Sequence, residues 1–311
     1  MIEIFKTIEG TLQNLNELTE GCWVKMINPS ATELLDIANA AGIEIDHLRA
    51  PLDEEERARI EVEDNYDLIL VDIPTLERRN EKDRYVTSPL GIIVTDKYLI
   101  TVCLEDTPIL KCFSDGRVRD FYTYKKTRFI LQILYRNAST FLQHLRTIDR
   151  KSEEVERKLH ISTQNSELIE LLELEKSLVY FTTSLRSNEV VFEKMLKLDK
   201  IKHYPEDQDL LEDLIIENKQ AIEMANIYSG ILTGMMDAFA SIISNNQNIV
   251  MKFLTVITIV LSIPNMVSGF FGMNFNHIPG GESPFGFYIV TFATLMVTIV
   301  TVLLFFKKKL F

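Results

Sequence analysis

The chain has 311 residues, of which 46% are hydrophobic and 25% are charged. At about 150 residues per domain, this length predicts two compact units, and the apolar content excludes a disordered chain. The net charge of −12 argues against a nucleic-acid partner, because binding phosphates requires a basic surface, and three cysteines are too few for a disulfide framework.

The first segment, residues 1–124, alternates short apolar runs with turn signals, which predicts a cytoplasmic α/β domain. Buried strands are predicted at Asp67–Ile73, Gly91–Thr95 and Tyr98–Leu104, because these runs are rich in Val and Ile. A helix is predicted at Thr32–Ala41. The N-terminus has no apolar signal-peptide stretch, which fits a domain that stays in the cytoplasm.

From residue 125 onward the apolar pattern becomes helical. Residues 125–204 are predicted to form a helical hairpin, and Pro205 starts a third helix because proline is favoured in the first turn. No proline follows until Pro264, so this helix is predicted to run unbroken through a stalk at 205–248 to Phe271.

The C-terminal end is almost free of charge. The predicted transmembrane helices at 249–271 and 285–306 contain uncharged runs of 19 and 22 residues, and runs of this length can span a hydrocarbon core of about 30 Å. Basic residues lie before the first run and in the tail at 307–311, whereas the link at 272–284 has none. The positive-inside rule therefore predicts cytoplasmic termini and an external link. Two buried core helices are the alternative.

The first predicted membrane helix carries a polar stripe. At 100° per residue its members fall within an arc of about 100°, and they are Asn248, Met251, Thr255, Thr258, Ser262, Asn265 and Gly269. An asparagine at mid-membrane is costly unless it faces protein or water. Two interpretations follow: the stripe packs against other helices, or several copies surround a pore that the stripe lines.

This helix ends in the sequence Phe271-Gly272-Met273-Asn274-Phe275, and here the chain resembles the CorA family of magnesium channels, whose hallmark is Gly-Met-Asn at this place. The resemblance implies an α+β cytoplasmic domain followed by long helices and a two-helix transmembrane hairpin, assembled in the plasma membrane as a funnel-shaped homopentamer. Gly272, Met273 and Asn274 would form the selectivity filter. Asn248 would form a ring near the cytoplasmic mouth, and Met251 and Leu254 a hydrophobic gate.

The resemblance also implies regulation by cytoplasmic Mg²⁺ held between subunits. The matching position on the long helix is Asp213, and the partner carboxylates would come from the neighbour's segment Asp72–Asp83. This segment is expected as a loop and offers Asp72, Glu77, Glu81 and Asp83. The acidity of residues 1–248, with 29 basic and 44 acidic side chains, fits cation attraction, although most of these carboxylates are expected to be solvated. In the link, Glu282 would concentrate cations at the mouth.

The implied ion is Mg²⁺, both transported and regulatory, with Co²⁺ or Ni²⁺ as alternatives. The stripe contains no carboxylate, which fits a hydrated ion. A zinc, cobalt or nickel transporter on the same scaffold is the second hypothesis, although the five histidines are scattered and no Cys-x-x-Cys occurs. The third is a membrane anchor without transport. No enzyme motif is present, so the sequence indicates a non-enzyme whose partners are itself, the bilayer and divalent cations.

Overall fold

The computed structural model describes residues 1–79, 82–161, 165–197, 205–273 and 285–307. These residues divide into two compact units, Met1–Met236 and Asp237–Phe311. The first unit contains the sheet and most helices. The second contains the C-terminal part of one long helix and the whole of another.

The first unit is built on a seven-stranded sheet. Its strands are β1 Ile2–Ile8, β2 Thr11–Leu15, β3 Trp23–Ile27, β4 Arg59–Val62, β5 Tyr66–Arg79, β6 Lys82–Thr95 and β7 Leu99–Cys103. The order across the sheet is β2-β1-β3-β7-β6-β5-β4. Strands β3 and β7 pair in parallel, and the other described pairs are antiparallel. The sheet is therefore mixed, as expected for an α+β domain.

The strands predicted at Asp67–Ile73 and Gly91–Thr95 are confirmed as parts of β5 and β6, and the one predicted at Tyr98–Leu104 is confirmed as β7, which is one residue shorter at each end. The expectation of a loop at Asp72–Asp83 is wrong, because β5 and β6 extend as a hairpin to Arg79 and Lys82. Beyond the core, the extension is supported by cross-strand pairs such as Leu76 with Tyr85 and the oppositely charged Glu77 with Arg84. Such pairs depend on register and leave little trace in hydropathy.

The described residues also form seven α-helices. They are α1 Ala31–Ala41, α2 Ile45–Arg49, α3 Pro108–Ser114, α4 Lys126–Ile161, α5 Asn165–Met195, α6 Pro205–Phe271 and α7 Gly286–Lys307. Helix α1 confirms the helix predicted there and begins with a capping box. Ser30 Oγ accepts a hydrogen bond from the Glu33 amide, and the Glu33 carboxylate accepts one from the Ser30 amide.

Two hydrophobic clusters form on opposite faces of the sheet, because alternate strand residues point to opposite sides. Val24 and Leu34 belong to the cluster under α1 and α2. Trp23, Phe113 and Phe129 belong to the cluster under α3 and α4, with ring centroids 5.1 Å apart for Trp23–Phe129 and Phe113–Phe129. The indole Nε1 of Trp23 donates to Thr101 Oγ1 at 2.9 Å.

Helix α6 is unbroken over 67 residues, which confirms the prediction of one continuous helix. Both α6 and α7 are long and apolar enough to cross a membrane. Only 6% of the apolar window in α6 and none of that in α7 is buried within the chain. The alternative of two buried core helices therefore does not fit, and the two helices support membrane insertion.

Candidate functional site

The polar stripe of α6 is a surface that the chain leaves uncovered. Its members Asn248, Thr255, Thr258, Ser262 and Asn265 are all exposed. The less exposed side chains between residues 253 and 271 are centred roughly 170° away around the helix, and they are Val256, Ile257, Val260, Ile263, Pro264 and Val267. The stripe is thus available to water, to ions or to another copy.

The hydroxyl groups of this stripe are bonded to their own helix. Thr255 Oγ1 donates to the carbonyl of Met251 at 2.7 Å, and Thr258 Oγ1 donates to that of Leu254 at 2.8 Å. Ser262 Oγ donates in the same way to the carbonyl of Thr258 at 2.7 Å. Because each hydroxyl proton is used, the outward side offers oxygen lone pairs. Lone pairs accept hydrogen bonds from the water shell of a cation.

Two large apolar side chains interrupt the polar surface near Asn248. Met251 is 60% exposed and Leu254 is 55% exposed. If several copies of α6 faced a common axis, these side chains would form an apolar ring, and a narrow apolar ring can block ion passage by dewetting.

At its C-terminal end α6 turns closely at Gly272. The Gly272 amide donates to the Ser268 carbonyl at 2.9 Å, and a Cβ at this position would lie only 3.1 Å from that carbonyl oxygen. Met273 follows and is exposed. Asn274 and Glu282 lie outside the described residues, so their roles stay predictions.

Asp213 lies on the outward side of α6. Its neighbours Leu211 and Leu214 are fully buried in the core, whereas Asp213 is exposed. Within the described residues, no hydrogen bond or ion pair joins Asp213 to Asp72 or Glu77. The site that the resemblance implies, an ion held between copies of the chain by these carboxylates, stays a prediction.

Asp72 lies on β5, and its backbone is hydrogen-bonded to side chains of α4 and α5. Its amide donates to Asn188 Oδ1 at 2.9 Å, and its carbonyl accepts from Asn137 Nδ2 and Asn188 Nδ2, each at 2.8 Å. Burial raises the pKa of the Asp72 carboxyl to about 6, while a hydrogen bond with Ser184 opposes the rise. This carboxyl is less available to an ion than the exposed Glu77.

Glu77 lines an open cleft of about 550 Å³ together with Glu54, Glu55 and Glu105. Carboxylate oxygens are the ligands that Mg²⁺ prefers. Arg84 also lines the cleft, and its Nε lies 3.4 Å from Glu173 Oε2. Sequence reasoning selected Glu77 but missed the other three glutamates. Glu54 and Glu55 precede β4 and Glu105 follows β7, so only the folded sheet brings them to Glu77.

Sequence reasoning also missed a group of metal-ligand side chains at the sheet edge. The structure brings His47, Glu61 and Glu63 together, with one ligand atom of each within 4.8 Å of the others. The available signal was Glu61 and Glu63 two residues apart, which places both on one side of an extended segment. Nothing in the sequence linked them to His47.

Comparison with known proteins identifies relatives over nearly the whole chain. A model of the "CorA-like Mg2+ transporter protein" family matches residues 19–309. The cobalt/magnesium transport protein CorA of Methanocaldococcus jannaschii is 30% identical over 92% of this chain and 90% of its own length. The magnesium transport protein CorA of Helicobacter pylori is 22% identical over 94% and 91%. The complete structure of the Methanocaldococcus jannaschii CorA magnesium transporter superposes with a TM-score of 0.84 at 26% identity, covering 98% of this chain and 97% of that one.

Proposed function

Because the chain belongs to the CorA-like Mg²⁺ transporter family, we propose that it is a homopentameric channel for passive Mg²⁺ uptake. The family consists of membrane transport proteins for divalent cations and not of enzymes. The plasma membrane is the proposed location, with both termini in the cytoplasm and the link between α6 and α7 outside. The membrane potential is the driving force, at about 2.3 kcal/mol per charge per 100 mV and twice that for a divalent ion.

The observation that carries this proposal is the uncovered polar face of α6 with its back-bonded hydroxyls. One helical hairpin cannot enclose water, whereas five copies around an axis can. Neutral oxygens hold a hydrated cation through its water shell and bind it weakly enough for release. Mg²⁺ gives up its water reluctantly, so passage of the hydrated ion suits this lining.

Along the proposed pore, Gly272, Met273 and Asn274 select the incoming ion at the outer end. Asn248 forms a polar ring at the inner mouth, and Met251 and Leu254 form the gate between Asn248 and Thr255. Glu282 raises the local cation concentration outside.

Feedback by cytoplasmic Mg²⁺ is the proposed regulation. Asp213 of one copy and the Glu77 cleft of its neighbour repel each other when they approach, and a bound cation removes this repulsion. Asp72 is a further candidate ligand, although its burial makes its carboxyl less available to an ion than that of Glu77. Loss of the ion would free the subunits to move and open the gate.

The transported ion is proposed to be Mg²⁺, with Co²⁺ as a second substrate, since relatives are named for both. Ni²⁺ is a further candidate of similar charge and coordination. A zinc transporter on this scaffold is less well supported, because the described lining residues offer oxygen atoms and the thioethers of Met251 and Met273 rather than imidazole or thiolate ligands.

Mg²⁺ flux into proteoliposomes, with and without internal Mg²⁺, tests this function. We expect uptake by the wild type that internal Mg²⁺ suppresses, and loss of uptake in Asn274→Ala without loss of the oligomer. The matched control Asn276→Ala removes a carboxamide two residues away and should keep uptake. An inactive wild type contradicts the channel, and an active Asn274→Ala contradicts the filter assignment. Added Zn²⁺ that blocked Mg²⁺ flux and was itself carried faster would favour the zinc transporter.

A further inference from the structure

We propose that His47, Glu61 and Glu63 bind one late transition-metal ion, Co²⁺, Ni²⁺ or Zn²⁺, in the first unit. His47 comes from the short helix α2, Glu61 from the edge strand β4, and Glu63 from the turn that follows it. None of these residues belongs to the proposed pore or to the proposed Mg²⁺ sensor, so this inference does not rest on the channel function.

The distances between the three side chains match a metal site. His47 Nε2 lies 3.2 Å from Glu61 Oε2, and one ligand atom of each residue lies within 4.8 Å of the others. A tetrahedral ion with metal–ligand distances of about 2.0 Å separates its ligands by about 3.3 Å. Small rotations of the exposed Glu63 side chain would therefore complete three ligands, and water would supply the fourth.

The surroundings orient the first two ligands. Tyr66 Oη lies 2.7 Å from His47 Nδ1 and also accepts a hydrogen bond from the Glu44 amide at 3.3 Å. This contact fixes the imidazole so that Nε2 faces the carboxylates. Arg59 Nε bonds to Glu61 Oε1, which leaves Oε2 for the ion.

The ligand set decides which class of ion fits. An imidazole with two carboxylates suits Zn²⁺, Co²⁺ and Ni²⁺, whereas Mg²⁺ prefers oxygen ligands and keeps most of its water. The imidazole is largely buried, at 16% exposure, while Glu63 is exposed and leaves a path from solvent. A bound ion would tie α2 to the edge of the sheet.

Co²⁺ binding to the full-length protein in detergent tests the proposal. A large excess of Mg²⁺ in the buffer occupies the sites of the proposed channel function. We expect one Co²⁺ per chain, with the visible absorption of a four-coordinate imidazole-bound ion. His47→Gln should lose this band, and Glu63→Gln should weaken Co²⁺ binding by about tenfold or more. Glu17→Gln, which changes another exposed glutamate, should bind as the wild type does.

Two results would overturn the site: a wild type without this band in excess Mg²⁺, or a His47→Gln protein that keeps it. The fluorescence of Trp23, the single tryptophan, reports whether each variant keeps its folded first unit. Should His47→Gln unfold, Glu63→Gln decides alone, because Glu63 is exposed, and unchanged Co²⁺ affinity in that variant refutes the site. The channel proposal is tested by Mg²⁺ flux, so the two ideas fail separately.

Discussion

The hydroxyl group of Thr258 donates its proton to the Leu254 carbonyl and directs its oxygen lone pairs toward the proposed pore. Replacing Thr258 by Val keeps the shape of the side chain but removes the outward oxygen from all five copies of the proposed pore. We expect Mg²⁺ flux in proteoliposomes to fall about tenfold or more, since each copy loses one hydrogen bond of about 0.5–1.5 kcal/mol to the water shell of the ion.

A matched control for this substitution lies on α7. Thr291 is also exposed and bonds to its own helix in the same way, with Oγ1 2.8 Å from the Phe287 carbonyl, as in Thr258 with Leu254. Thr291→Val should keep wild-type flux because α7 is not assigned to the pore. Equal losses in both variants would show that the polar face of α6 has no special role.

Asp72 makes the stability of the first unit depend on pH. Its pKa in the folded chain, about 6, lies above the ordinary value of 3.8, so the folded state binds this proton more tightly than the unfolded state does. The ionised carboxylate therefore destabilises the fold. The penalty is at most about 3 kcal/mol, is complete above pH 6, and disappears as the pH falls toward about 4.

Asp72→Asn should consequently raise the free energy of unfolding by about 1–3 kcal/mol at pH 7.5, and the gain should shrink to nothing near pH 4. Urea unfolding without divalent ions, followed by Trp23 fluorescence, measures this difference. Asp36→Asn, an exposed position on α1, should change little at either pH. A destabilised Asp72→Asn protein at pH 7.5 would mean that the charge, and not only the backbone of Asp72, is needed for the fold.

Two of the three glycines of helix α6, Gly230 and Gly234, lie before its uncharged run and lower the stability of the helix without a packing reason within the chain. A Cβ added at Gly230 or Gly234 would meet nothing within 4 Å. Replacing both by alanine should stabilise the helix by about 1–2 kcal/mol, because glycine has more backbone freedom to lose. Thermal unfolding followed by circular dichroism should show a Tm a few degrees higher.

Gly91 on β6 provides the opposite case for the same substitution. A Cβ there would lie 2.2 Å from Pro51 Cγ, so the 3₁₀ turn at Ala50–Leu52 packs directly on this strand. Gly91→Ala should destabilise the first unit by about 1–3 kcal/mol through overpacking. If the helix and strand substitutions shifted Tm in the same direction, contact with the added Cβ would not be the deciding factor.

The elements that sequence could predict are those whose pattern is local. Apolar runs identified the central strands, and the absence of proline between Pro205 and Pro264 identified the continuous α6. The outer parts of β5 and β6 were not predicted as strands, because they are stabilised by cross-strand pairs such as Glu77 with Arg84. Pairing of this kind depends on register, which a single sequence does not reveal.

The same distinction holds for the candidate site. The stripe from Asn248 to Asn265 lies on one helix, so 3.6-residue periodicity was sufficient to find it. The Glu77 cleft and the group around His47 join residues from separate segments, and their proximity exists only in the folded sheet. The partner of Asp213 is more remote still, since the proposal places it on another copy.

At the scale of the whole molecule, the distribution of charge and the exposed surfaces are both consistent with the proposed pentamer. Residues 1–248 carry a net charge of −15, and the remainder is almost free of charge. The single chain also leaves the polar stripe, Met251 and Asp213 uncovered. The proposed pentamer places each of these surfaces against water, ions or a neighbour, and it predicts that cation binding and subunit packing depend on each other.

Substitutions of Asp213 test whether cation binding and subunit packing depend on each other. Asp213→Ala removes one carboxylate from the proposed intersubunit site, so suppression of uptake should require about tenfold more internal Mg²⁺, in keeping with the loss of one charge-assisted contact of about 1.5–3 kcal/mol. Asp213→Lys supplies a fixed ammonium group that can pair with the neighbour's carboxylates without Mg²⁺. Its uptake should therefore be low and independent of internal Mg²⁺.

Glu223→Ala, which removes another exposed acid of α6, should keep normal suppression. If both Asp213 variants were suppressed by millimolar Mg²⁺ as the wild type is, the sensor would lie elsewhere, while the pore assignment, measured at Thr258, would stand on its own result.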